Sequence, residues 1–501
     1  MKRIPAQIAS GLLLAVVALG LMACKDIIYR VPQNNFSGRP IPPSQLLQRV
    51  LVTYTPNGTS GSALMLDGLR DLRNNVQNTI PLFPISGFSA SLPTTILNFP
   101  EETAGYILSY TDGGLTAINY SKESSAGAVA SFGPFAPSAA ASPDGTRFAG
   151  ANEGAGIVTI VGVTGSNGAG SYALNLPNVF KVAINQGNSV MLAMVRNSNT
   201  LYRIIKLPST NNPVIPPGSV DCEPLILPVY CVVPVKGTFD RPTDVFFTTD
   251  GSTAYVLNCG PECGGTTASV SALQVAPLVV DNIPTANPLD PAAPTTMKTL
   301  PVANPIPIPG GVTAALSDGA NLYLAGQSLF SLTGGVLGNT PRADGLFTGY
   351  LTAVNLSTYA VSNPISISDG THSKMLFADD NTLWVGAQKC ASGERAKQNL
   401  NYNCLTRVAL GSTLSAQIVP NVTPGGATTV PYPNDNQNLY YYGDLNGLCW
   451  VQNYHKVYTG YGGQIHAFNT ADGSEINNVN ITVQGTVLDV AYMDALTNSA
   501  N

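Results

Sequence analysis

Thiols, imidazoles and carboxylates are the side chains of this sequence able to do chemistry, and their spacing sorts what they can do. Eight cysteines are present, and six fall in close pairs: Cys222/Cys231, Cys259/Cys263 and Cys390/Cys404. Close pairing suits disulfides formed in an oxidising compartment. The competing reading is a zinc site at Cys259-Gly-Pro-Glu-Cys263, which needs two further ligands. The only histidines are His372, His455 and His466, all distant in sequence. Disulfides are therefore favoured, and neither a metal nor another cofactor is expected. Cys449 is left over in the apolar run Leu448-Cys449-Trp450-Val451. It reads as a core thiol, because thiolate chemistry needs an accessible, electropositive setting. His466 alternates with Ile465 and Ala467 and is expected to face solvent, while His455 is placed near the axis or a turn. The loop carboxylates Asp112, Glu153 and Asp379 read first as turn formers and alternatively as ligands for a divalent ion. No Gly-x-Ser-x-Gly elbow, His-Glu-x-x-His pair, phosphate loop or dinucleotide fingerprint occurs, so no catalytic residue is assigned.

Short strands must position these groups. Charged residues are 11% of the 501, where roughly a quarter is usual. With a formal charge of -5 and no cluster of Lys or Arg beyond the first three residues, nothing neutralises nucleic-acid phosphates, so DNA and RNA are excluded as partners. Hydrophobic residues at 44% supply a core, and 49 Gly with 38 Pro oppose long helices.

The beginning of the chain fixes the expected compartment. Lys2 and Arg3 precede a nearly continuous apolar run from Ile8 to Ala23, which ends in Leu21-Met22-Ala23-Cys24. The run is short for a spanning helix, which needs about 20 residues, and small Ala23 suits a signal peptidase. Leu-x-Ala-Cys resembles the bacterial lipoprotein signal. The resemblance implies cleavage of residues 1–23 and acylation of Cys24, an anchor worth about 0.8 kcal/mol per buried CH₂. The alternative is an ordinary secreted protein cut nearby. Lys25 stands where an inner-membrane retention signal has Asp, so a cell-envelope location is expected, at the outer membrane and facing periplasm or surface. Residues 24–44, with Pro32, Pro40, Pro42 and Pro43, read as a tether.

From residue 45 onward one unit recurs. Ser142-Pro143-Asp144-Gly145, Thr249-Asp250-Gly251, Ser317-Asp318-Gly319 and Ala378-Asp379-Asp380-Asn381 each lead into an apolar strand, with Asn185-Gln186-Gly187-Asn188 a weaker copy. Gly takes the positive φ of a tight hairpin and Asp caps it. A third strand with period-2 patterning follows, as at Ile157-Val158-Thr159-Ile160 and Gln464-Ile465-His466-Ala467-Phe468, and then a fourth. Four-stranded antiparallel units without helices between them predict an all-β fold, a single β-propeller. Thr243–Phe247, Gly311–Ala315, Ser373–Phe377 and Gly447–Val451 are expected to be innermost strands. Eight blades are preferred and seven possible, closed by Thr486-Val487-Leu488-Asp489-Val490-Ala491-Tyr492 pairing beside Arg49-Val50-Leu51-Val52-Thr53-Tyr54. Pro-rich insertions are expected near 209–240 and 277–310, where proline density excludes central strands.

Pro242-Thr243-Asp244-Val245, Asp250-Gly251 and Tyr255-Val256-Leu257-Asn258 together resemble the Tyr-Val-Thr-Asn (YVTN) repeat propellers, with Leu257 where Thr is usual. Val457-Tyr458-Thr459-Gly460 through Asp472-Gly473 is similar to quinoprotein-type propeller repeats, although Glu475 and Ile476 stand where those carry a docking Trp. With strands lettered a to d from the axis outward, the b–c loops share one face, and both Cys259/Cys263 and Cys390/Cys404 fall in such loops. Lys389, Tyr402, Asn403 and Tyr461 are the binding-face candidates. The expected function is a non-enzymatic binding or scaffold module for a protein or glycan partner. One alternative is a metal-dependent hydrolase like the lactonase-type propellers. The other is a helper like the eight-bladed lipoprotein of the outer-membrane barrel assembly machinery.

Overall fold

The structure is a computed structural model that describes residues 40–69, 83–162, 170–208, 213–223, 229–333, 336–342, 345–390, 404–419, 445–476 and 481–498. Contacts divide the chain into Met1–Ile41 and Pro42–Asn501, and every described strand belongs to the second unit. The expected signal segment, Cys24 and the expected tether as far as residue 39 lie outside the described residues.

Each Asp-Gly motif makes the turn that its residues dictate. Asp144 Oδ1 accepts the Thr146 N–H at 3.1 Å, and the hairpin closes with Ser142 N–H on the Arg147 carbonyl at 2.9 Å. Asp250 Oδ1 accepts Ser252 N–H at 3.1 Å, with Thr248 N–H on the Thr253 carbonyl at 3.0 Å. The last copy has no Gly; Asp380 and Asn381 adopt φ of 62° and 54° instead, the pair of positive values that a type I′ hairpin requires.

These hairpins join strands a and b of repeated antiparallel sheets. Among the described residues there are eight sheets of four or five strands, plus a small two-stranded ribbon. The chain is an eight-bladed β-propeller. The a strands are Thr486–Tyr492 in blade 1 and then Pro93–Phe99, Ser138–Ala141, Val179–Ile184, Pro242–Phe247, Gly311–Ser317, Thr371–Ala378 and Leu445–Val451 in blades 2 to 8. The four segments expected to be innermost all fall in this set. Blade 1 is built from both ends of the fold, since Arg49–Thr55 is its b strand and pairs antiparallel with Thr486–Tyr492, as the sequence predicts. Seven blades are thereby excluded.

Alternation along each strand sends successive side chains to opposite faces, and in a propeller both faces meet a neighbour. Along Arg49–Thr55, Val50 and Val52 pack with Cys449, Val451 and Tyr458 of blade 8, whereas Leu51 packs with Ile96, Ile107 and Ile118 of blade 2. The same two-sided burial carries the core around the ring, through Phe148 against Tyr106 and Trp384 against Phe468.

The insertions are built at blade margins. Within 209–240, Asp221–Glu223 and Tyr230–Pro234 are strands, and the second is the d strand of blade 4 with the first as a fifth, edge strand. Only part of that segment is therefore an addition to the four-strand plan. Cys222 and Cys231 face each other directly in this pair and are disulfide-bonded. Within 277–310, Ile306–Pro307 is the short d strand of blade 5. Pro234 and Pro307 thus each lie on an outer strand of their blade.

Candidate functional site

Blades 5, 6 and 7 carry additions on the face where their b–c loops emerge. In blade 5 the loop is a short 3-10 turn, Gly260–Cys263, closed by the Cys259–Cys263 disulfide. In blade 6 it is a β-ribbon, Phe330–Thr333 paired with Val336–Pro341, whose Val336 is 69% exposed. In blade 7 the Cys390–Cys404 disulfide joins the ends of the loop, with both sulfurs buried. Two of the three disulfides thus brace one face.

The blade 6 and blade 7 additions meet at the connection between those blades. At the ribbon base Arg342 Nη1 meets Asp369 Oδ2 at 2.8 Å, reaching the segment that leads into blade 7. Next to it Gly370 adopts φ 102°, and a Cβ there would overlap the Gln388 carbonyl. Glycine therefore lets this connection lie directly against the blade 7 loop. Between blades 5 and 6, burial lifts the Glu262 carboxyl above its ordinary range.

His372 lies under the same face at the start of the blade 7 a strand, 1% exposed, with Nε2 2.8 Å from the Ser368 carbonyl. Burial pushes its pKa down to about 4, so at neutral pH the ring is uncharged and Nε2–H is the donor. An unfolded histidine takes its proton near 6.5. Between those values only the unfolded chain binds the proton, so the stability present above pH 6.5 falls as pH drops to about 4, by about 1.4 kcal/mol per unit. Urea unfolding at pH 7 and pH 5 should therefore show wild type losing about 2 kcal/mol more than His372→Gln; equal losses would refute the assignment.

The inner strands hold charges that sequence reasoning missed. Lys374 of blade 7 reaches past blade 8 to pair with Asp489 of blade 1 at 2.7 Å, and Asp489 Oδ2 also accepts the Ile96 N–H of blade 2 at 2.9 Å. Lys181 of blade 4 pairs with Asp244 of blade 5 at 2.5 Å. The available signal was a single charged residue in each of these innermost strands.

The individual candidates fare differently. Lys389 is exposed on the b–c face beside Cys390. Tyr402 and Asn403 lie outside the described residues. Tyr461 is a correction: it is 1% exposed, in the core between blades 7 and 8, with its ring edge-on to His466 at 5.7 Å. His466 is a second correction, since it is buried, with Nδ1 2.6 Å from Glu475 Oε1 and Nε2 3.1 Å from Gln464 Oε1. Both sit in blade 8 strands packed on each side by another blade, so alternation leaves no solvent face. His455 lies in the exposed blade 8 turn with Nδ1 2.8 Å from Asp380 Oδ2, a neighbour that raises its pKa. Cys449 is buried, and desolvation raises its thiol pKa far above the ordinary value.

The three loop carboxylates do not converge. Asp112 Oδ1 accepts Gly114 N–H at 3.0 Å, Glu153 pairs with Arg196, and Asp379 Oδ2 accepts Trp450 Nε1–H at 2.9 Å and His455 N–H at 2.7 Å. Among the described residues no three His, Cys, Asp or Glu side chains gather as a metal-binding group. What the b–c face offers is two disulfide-braced loops and a ribbon, with Val336 and Lys389 exposed.

Solved structures share this architecture at low identity. Dihydro-heme d1 dehydrogenase NirN in complex with DHE is 12% identical, covering 92% of this chain and 82% of that one with a TM-score of 0.50. Citrobacter koseri AztD is 10% identical over 89% of this chain and 97% of that one, with a TM-score of 0.47. The C-terminal WD40 domain of Sif2 is 8% identical over 84% and 96%, with a TM-score of 0.46. At such identity the likeness is one of fold alone. No family model and no curated protein matches this chain.

Proposed function

We propose that this chain is a lipid-anchored, extracytoplasmic propeller of the YVTN-repeat type that binds a protein or glycan partner without turning it over. The observation that carries the reading is the run of enlarged b–c loops on three successive blades, two closed by disulfides and the middle one an exposed ribbon. A loop whose two ends are tied has less entropy to lose on binding, which favours recognition. Cys24 supplies the anchor and the disulfides agree with an oxidising envelope.

Crosslinking in the native host tests the binding face. Val336→Asp on the exposed ribbon, or Lys389→Glu, should remove the captured partner while leaving the unfolding midpoint unchanged. A captured set indifferent to both changes would defeat the reading. Cys24→Ala should separately move the protein out of the membrane fraction.

A further inference from the structure

A cavity of about 320 Å³ lies between the outer strands of blade 4 and the insertion that follows the blade 5 c strand, away from the groups considered above. Its walls come from Pro234–Lys236 and the Pro-rich insertion at 277–296, and five prolines are among the lining residues. Proline fixes φ, and the insertion is pinned by hydrogen bonds. Lys236 Nζ donates to the Asp290 carbonyl at 2.9 Å and also to the carbonyls of Pro291 and Ala293. Thr296 N–H meets the Lys236 carbonyl at 3.1 Å, and Asn304 Nδ2 donates to the carbonyls of Ala272 and Lys298, each at 2.8 Å. The cavity is therefore a built space.

Arg203, from the c strand Leu201–Lys206 of blade 4, forms part of the wall and is 6% exposed. A guanidinium has five N–H donors. Nη1 of Arg203 donates to the Pro277 carbonyl at 2.5 Å, and among the described residues no carboxylate forms an ion pair with it. Burial without a counter-charge draws its pKa down to about 10. Removing a cation from water is costly unless an anion meets it, and Lys236 is already committed to carbonyls.

We propose that this cavity binds a small organic carboxylate, its two oxygens paired with the Arg203 guanidinium and its body against Val235, Ile283 and the prolines. A planar carboxylate matches the guanidinium fork with two parallel hydrogen bonds, and the volume is at the lower end of that of small-molecule sites.

Titration calorimetry of the full chain with benzoate, its neutral isostere benzamide, and inorganic phosphate tests this assignment. Benzoate should bind at one site at least about tenfold more tightly than benzamide or phosphate. Arg203→Met should erase that preference, and Ala286→Trp, at an exposed lining position, should weaken benzoate at least about tenfold while leaving the unfolding midpoint in place. Absence of benzoate binding at millimolar concentration, equal binding of benzamide or phosphate, or a preference that survives Arg203→Met overturns the proposal. If Arg203→Met fails to fold, benzoate binding unchanged by Ala286→Trp overturns it alone.

Discussion

Deleting residues 486–501 is expected to abolish the folded monomer. The deletion removes the innermost strand of blade 1, which pairs with Arg49–Thr55 from Val50↔Tyr492 to Thr55↔Thr486. It also removes Val487, Val490, Ala491, Tyr492 and Met493, none more than 4% exposed. At about 1.5–3 kcal/mol for each large apolar side chain, the burial lost is on the order of 10 kcal/mol, comparable with the entire 5–15 kcal/mol stability of an ordinary domain. The b strand of blade 1 would then present an unpaired edge, which invites intermolecular pairing. Gel filtration should find aggregate in place of the monomer, and thermal scans should show no cooperative transition. A monomer melting within a few degrees of the full chain would contradict this account of closure.

Arg49→Met is expected to cost about 3–5 kcal/mol. Arg49 is 5% exposed and joins three parts of the fold. Its Nη2 lies 2.6 Å from Asp494 Oδ1 and its Nη1 3.0 Å from Glu123 Oε1, while Nη1 also donates to the Tyr120 carbonyl at 2.6 Å. The Arg49 N–H adds a bond to Asp494 Oδ2 at 2.7 Å, and Ser44 donates to Glu123 through its N–H at 2.8 Å and its hydroxyl at 2.5 Å. The cluster occupies the place where an a–b turn would connect blade 1, and it substitutes ionic contacts for the missing peptide link. Removing the cation leaves two buried carboxylates facing each other, so the single change should hurt more than Arg49→Met combined with Glu123→Gln and Asp494→Asn. Urea midpoints at pH 7 test the order; a single-variant loss below about 1 kcal/mol would show that the cluster is not a latch.

The architecture was readable because its signals are local. Asp144-Gly145 and Asp250-Gly251 specify their hairpins within a few residues, and the cysteine pairs are close enough in sequence to be matched without knowing the fold. The closing strand was readable because Val487 to Tyr492 continues the apolar pattern after the last complete unit. Individual sites were harder to read. Period-2 alternation identifies strands yet does not say which face meets water, and between two blades neither does; His466 was misplaced for that reason, while Tyr461, at the end of a strand beside a b–c turn, turns its ring into the core rather than onto the face. Pairs such as Lys374 and Asp489 join residues 115 apart in sequence, a separation at which no local rule relates one to the other. Arg203 looks ordinary in Leu201-Tyr202-Arg203-Ile204, and only its surroundings reveal an unmatched charge.

The pairing of Arg49 with Asp494 across 445 residues also sets an order in time. The ribosome makes the b, c and d strands of blade 1 first and their a strand last, so translation must run through all seven other blades before the ring can lock. Contacts at such sequence distance slow folding, and the chain keeps an unsealed seam throughout its own synthesis. A polypeptide exported as a threaded strand would meet the same schedule, sealing only after Tyr492 has cleared the pore.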